Sequence, residues 1–122
     1  MRIRFTLTFL IAACAAIAIA VPALAHTEIT STSPARGGKA KTSIRSVKVT
    51  FGEQIRSGSL RVTGPGNQVV SLGKGGRDPR NVRRLAVSLK GSLKAGRYHA
   101  SWKVVAADGH KQHGSFSFRL RR

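Results

Sequence analysis

Near one end of this chain the segment ADGHKQHG, residues 107 to 114, gathers Asp108, His110 and His113 into a few positions. A carboxylate and an imidazole two residues apart, with Gly109 between them to permit a tight turn, can both face one metal ion. A second source of nitrogen stands at the other end of the sequence. His26 directly follows VPALA and becomes the first residue if the chain is cut after Ala25. A free N-terminal histidine offers two nitrogens, the α-amine and the ring Nδ1, in a geometry that closes a chelate ring. With one imidazole nitrogen from His110 the set is three nitrogens in a T, and Asp108 is available as an oxygen ligand. Nitrogen and oxygen donors in a tetragonal arrangement favour Cu(II), whose affinity also leads the divalent series. Zinc uses similar ligands in a tetrahedron, so the choice between the two metals stays open at this point. The only methionine is Met1 and the only cysteine is Cys14, so a soft Cu(I) site is not expected beyond residue 25.

The cut is suggested by the first 25 residues, MRIRFTLTFLIAACAAIAIAVPALA. Two arginines, a long apolar run and the small-x-small triplet Ala23, Leu24, Ala25 follow in the order of a secretory signal peptide. The run is near the upper length for such a region, and an uncleaved anchor is the competing reading. A lipoprotein signal at Cys14 would leave eleven mostly apolar residues, 15 to 25, at the new terminus with nothing to bury them. Cleavage after Ala25 predicts a mature chain of residues 26 to 122, enough for one small domain in the periplasm. That domain carries neither a disulfide nor a thiolate ligand.

Of the 22 basic residues, Arg2 and Arg4 leave with the leader; the remaining 20 against four acids (Glu28, Glu53, Asp78, Asp108) give a net charge of +16 with histidine neutral. Such a balance keeps a small domain soluble, or draws it to anionic lipid or polysaccharide. The cations are spread along the chain with clusters at RDPRNVRR and RLRR. No helix, aromatic stacking pattern or nucleic-acid motif accompanies them, so specific nucleic-acid binding is not expected.

The elements that must position these groups show themselves by alternation of period two. In SIRSVKVTFG, Val47, Val49 and Phe51 share one face; in GSLRVTG, Leu60 and Val62 do; in RLAVSLKG, Leu85, Val87 and Leu89. GRYHASWKVV turns Tyr98, Ala100, Trp102 and Val104 inward and His99 outward, and GSFSFRL buries Phe116, Phe118 and Leu120. Between them lie turn signals rich in Gly, Pro, Asn and Asp. The pattern predicts an all-β domain of about seven strands in two packed antiparallel sheets, a Greek-key sandwich.

Taken together, His26 after the leader, STSPARGG, VKVTFGEQI, YxxxWxVVxADGH and GSFSF resemble the CopC family of periplasmic copper-binding proteins, in order and over almost the whole mature chain. The resemblance implies a cupredoxin-like Greek-key barrel or sandwich. It implies Cu(II) held by the N-terminal histidine with the Asp and His of the DGH loop, hence His26, Asp108 and His110. Glu53 matches an acidic position of the family near the site, an outer or alternative oxygen ligand, and His113 stands close enough in sequence to compete. The family's methionine-rich Cu(I) loop is absent, and Lys111 places positive charge directly after His110. The implied function is copper sequestration, transfer or tolerance by a monomer that is not an enzyme, with a CopD-type inner-membrane protein as partner. Two other classes compete: an oxidative polysaccharide-cleaving enzyme, which also uses an N-terminal histidine, and a basic domain that binds polyanions or a membrane surface.

Overall fold

In the computed structural model, which describes residues 15–16 and 27–122, eight strands form two four-stranded sheets packed face to face. The strands are β1 (Ile29–Ser33), β2 (Lys39–Lys41), β3 (Ser46–Phe51), β4 (Ile55–Thr63), β5 (Gly76–Asp78), β6 (Asn81–Ser88), β7 (Gly96–Ala106) and β8 (Lys111–Arg121). One sheet runs β1-β3-β6-β5 and the other β2-β8-β7-β4. A single 3-10 turn at Pro65–Asn67 is the only helical element among the described residues.

The alternation read from the sequence is the alternation that packs. Val47, Val49, Phe51, Leu60, Val62, Leu85, Val87, Leu89, Tyr98, Ala100, Trp102, Val104, Phe116, Phe118 and Leu120 are all buried and form one continuous core between the sheets. Burying each of the Val, Leu and Phe side chains among them stabilises by about 1.5–3 kcal/mol before conformational entropy is subtracted. Phe51 meets Trp102 edge-on across the sheets at 5.2 Å, and Tyr98 stacks on Phe118 at 5.6 Å. The Tyr98 hydroxyl donates to Lys94 O at 2.6 Å. Burial pushes its pKa up, partly offset by that hydrogen bond.

Two features differ from the sequence reading. There are eight strands rather than about seven, because edge strands as short as β2 and β5 are counted in. The pairing is also not antiparallel throughout: β2 lies parallel to β8, with Lys39, Ala40 and Lys41 opposite Arg119, Leu120 and Arg121. A three-residue edge strand needs only backbone hydrogen bonds to pair, so its polar sequence KAK gives no apolar alternation to read.

Candidate functional site

The DGH segment is the connection between β7 and β8, the two longest strands and a ten-pair antiparallel ladder. The turn is closed by its own backbone: Ala106 N donates to His110 O (2.9 Å) and Gly109 N to Ala106 O (2.9 Å). Gly109 adopts φ +90°, a conformation that disfavours any side chain. Asp108 grips the turn from outside. Its Oδ1 accepts from His110 N at 3.0 Å and its Oδ2 lies 2.7 Å from His110 Nδ1. The backbone N–H of His110, and after it the imidazole, hold the Asp108 carboxyl below its ordinary range. A charged carboxylate only accepts, so His110 Nδ1 carries the shared proton and Nε2 is the ring nitrogen left with a lone pair. Both side chains remain open to solvent, 54% for His110 and 42% for Asp108.

Two further segments are tied to this end of the sandwich. Ala107 N donates to Gln54 O (3.2 Å), which holds the β3–β4 connection, Glu53 included, against the turn. Gly52 N donates to Glu28 O (2.8 Å), which brings in the segment that enters β1. Thr27, at the start of that segment, is buried. The Gln112 amide, oriented to satisfy both groups, donates to Thr27 O (3.1 Å) and accepts from Thr27 N (3.2 Å). Gln112 therefore pairs the backbone of residue 27 with the first turn of β8, two residues beyond His110.

Trp102 and Gly114 stand opposite each other on β7 and β8. A Cβ on Gly114 would lie 2.5 Å from Trp102 Cζ2, so only glycine opposite Trp102 lets the indole cross the sheet. Trp102 Nε1 and Thr27 Oγ1 are buried without a hydrogen-bond partner among the described residues, and both side chains line a cleft along β1.

The residues singled out from sequence fall as follows. Asp108 and His110 are in direct contact. Glu53 is exposed in the adjoining loop, and no three His, Cys, Asp or Glu side chains among the described residues gather closely enough to hold an ion. His113 lies within β8, not in the loop; it pairs with Lys103 and points from the outer face of its sheet, opposite to Gln112. His99 is exposed on that same face, its Nδ1 2.8 Å from Ser117 Oγ. His26 and the leader lie outside the described residues. Gln112 was not singled out from sequence, although a signal existed: Gln112, Gly114, Phe116, Phe118 and Leu120 share one parity, which places a polar amide at an inward position. Cations also crowd the turn: Lys111 follows His110, and Arg56 reaches to 3.8 Å from where a Gly109 Cβ would stand.

A CopC domain model matches residues 29–121. The chain belongs to the CopC family. It is 30% identical over 99 residues to Protein YobA of Escherichia coli K12, a match covering 80% of each chain, and equally similar to Protein YobA of Shigella flexneri. Among solved structures it resembles CopC from Methylosinus trichosporium OB3b (TM-score 0.64, 22% identity, 78% of this chain and 93% of that one). It also resembles PcoC, a methionine rich copper resistance protein from Escherichia coli (TM-score 0.64, 22% identity, 80% and 100%). At that identity the two structures speak for the shared CopC sandwich, which the packing described above realises with this chain's own side chains.

Proposed function

We propose that this CopC-family chain is a periplasmic Cu(II)-binding protein that sequesters or hands over copper, holding the ion with His26 as N-terminal residue together with His110 and Asp108. Family membership supports the copper chemistry, since PcoC is a copper resistance protein. The observation that carries the site is the Gln112–Thr27 pairing. It ties the Thr27 backbone to β8 two residues beyond His110, which supports a reading in which a chain beginning at His26 offers its amine and imidazole to an ion at the DGH turn. The donor chemistry fits. His110 keeps a lone pair on Nε2 because its Nδ1–H donates to the Asp108 carboxylate, the carboxylate–histidine pairing that orients and strengthens imidazole ligands. Asp108 in this arrangement first positions His110; its oxygens are the nearest anionic donors should the turn open to the ion.

The cargo ion supplies the Lewis acidity, and the chain supplies selectivity through nitrogen-rich, cysteine-free ligation. Histidine and α-amine must be deprotonated to bind, so affinity is expected to fall as pH is lowered. The deciding experiment is the intact mass of the exported protein followed by Cu(II) titration with electron paramagnetic resonance. The expected result is a chain starting at His26 with one tetragonal, nitrogen-rich signal. His26→Ala, His110→Ala and a form with one extra residue before His26 should each lose tight binding. Retention of tight binding in all three overturns the proposal.

A further inference from the structure

The cations on the two sheets of the sandwich are partnered differently. On the sheet β1-β3-β6-β5, Lys48 and Arg84 point outward with Arg84 3.9 Å from Asp78, while the exposed Arg77 and Arg83 donate to backbone carbonyls, Ile55 O and Gly52 O. The sheet β2-β8-β7-β4 is built otherwise. Lys39, Arg119 and Arg97 stand side by side in register across β2, β8 and β7, all exposed. Lys41 pairs with Arg121 at one end of the same face, while Lys103, Lys111 and Arg61 continue it toward the other. The four acids, Glu28, Glu53, Asp78 and Asp108, all lie elsewhere: in the three segments at the DGH end and on β5.

Like charges directly opposite one another on a sheet are destabilising. A row of three cations without an acid is therefore a cost to the fold that a counter-surface relieves. The positions between the cations are polar, Ser59, Ser101, Ser115 and Ser117 with the imidazoles of His99 and His113, and none of them is an acid. Tyr98, Trp102, Phe116 and Phe118 all turn into the core, so the only rings on this face are the imidazoles of His99 and His113. Bases or sugar rings would find no Trp, Tyr or Phe platform to stack on there. A broad four-stranded plane of cations matches a plane of many phosphates better than one threaded strand.

We infer that the outer face of β2-β8-β7-β4 is a docking surface for an anionic phospholipid bilayer. The contact is electrostatic and peripheral, with no apolar insertion, and it holds the DGH turn at the edge of the docked face. Each cation near an anionic leaflet is expected to contribute about fivefold in partition. The inference is independent of copper, because none of its residues belongs to the proposed ligand set.

The test is flotation of the purified protein with vesicles of phosphatidylcholine alone and of phosphatidylcholine with phosphatidylglycerol. Binding is expected only to the second, to vanish at about 1 M salt, where the screening length is about 3 Å, and to persist with a chelator or His26→Ala. The triple variant K39E/R97E/R119E should lose at least about a hundredfold. The charge-matched control K48E/R80E/K90E, placed away from the face, should lose little beyond the general drop in net charge. K39Q/R97Q/R119Q removes the same charges without reversing them and keeps the comparison valid if the reversal misfolds. Equal loss in face and control variants overturns the inference, as does absence of binding to anionic vesicles. Binding to heparin or single-stranded DNA without vesicle binding overturns it in favour of a linear polyanion.

Discussion

Asp108 sets the chemistry of His110 by occupying Nδ1, so the two residues act as one unit. Two outcomes follow. Because the folded Asp108 carboxyl sits below its ordinary value of 3.8, the order it gives the turn is present above that value. It is lost only as pH falls through the lower, folded value. A carboxyl titration followed by NMR should thus show a midpoint under 3.8 that reports on the His110 amide as well. Asp108→Asn keeps an acceptor for the backbone but weakens the grip on the imidazole, and should lower Cu(II) affinity by about 10–100-fold, as measured by competition titration. A loss as complete as that of His110→Ala would instead make Asp108 an indispensable ligand. The Asp-Gly-His spacing revealed the pairing of these residue types. It did not reveal which atoms face which, because an aspartate that caps its own turn and one that faces an ion share the same spacing.

The strands β7 and β8 are the part most legible in the sequence, since each alternates cleanly across a buried face. The tether to the N-terminal segment was harder to see. Gln112 breaks the inward apolar series by one residue at the strand's start, and its partner is the backbone of Thr27, which has no pattern of its own. Gln112→Ala should leave the sandwich folded while releasing residue 27, so copper affinity falls and thermal stability changes little; amide hydrogen exchange at Thr27 reads the release. Gly114→Ala works the other way. Its new Cβ collides with Trp102, and overpacking of this kind costs about 1–3 kcal/mol. For a domain of this size that lowers Tm by about 4–8 °C per kcal/mol, to be checked by calorimetry. The short strands β2 and β5 carry no such signals, as their pairing is a backbone matter at a sheet edge.

For the molecule as a whole, composition revealed the amount of charge but not its placement. The basic residues are scattered along the sequence, yet outward positions on β2, β4, β7 and β8 collect many of them on one face because strands far apart in sequence are neighbours in the sheet. Self-repulsion on that face has a thermodynamic signature. The cross-strand pair Arg97 and Arg119 opposes like charges in register, so Arg97→Glu should convert a repulsion into an attraction and raise stability by about 0.2–1 kcal/mol. Added salt should stabilise the native protein by screening the same repulsion, and should do so less in the Arg97→Glu variant. Denaturation at low and high salt measures both. A stabilised variant that also binds anionic vesicles more weakly would mean that the face gives up stability for attraction to a surface; a variant destabilised at low salt would mean that the row of cations is already neutralised within the fold.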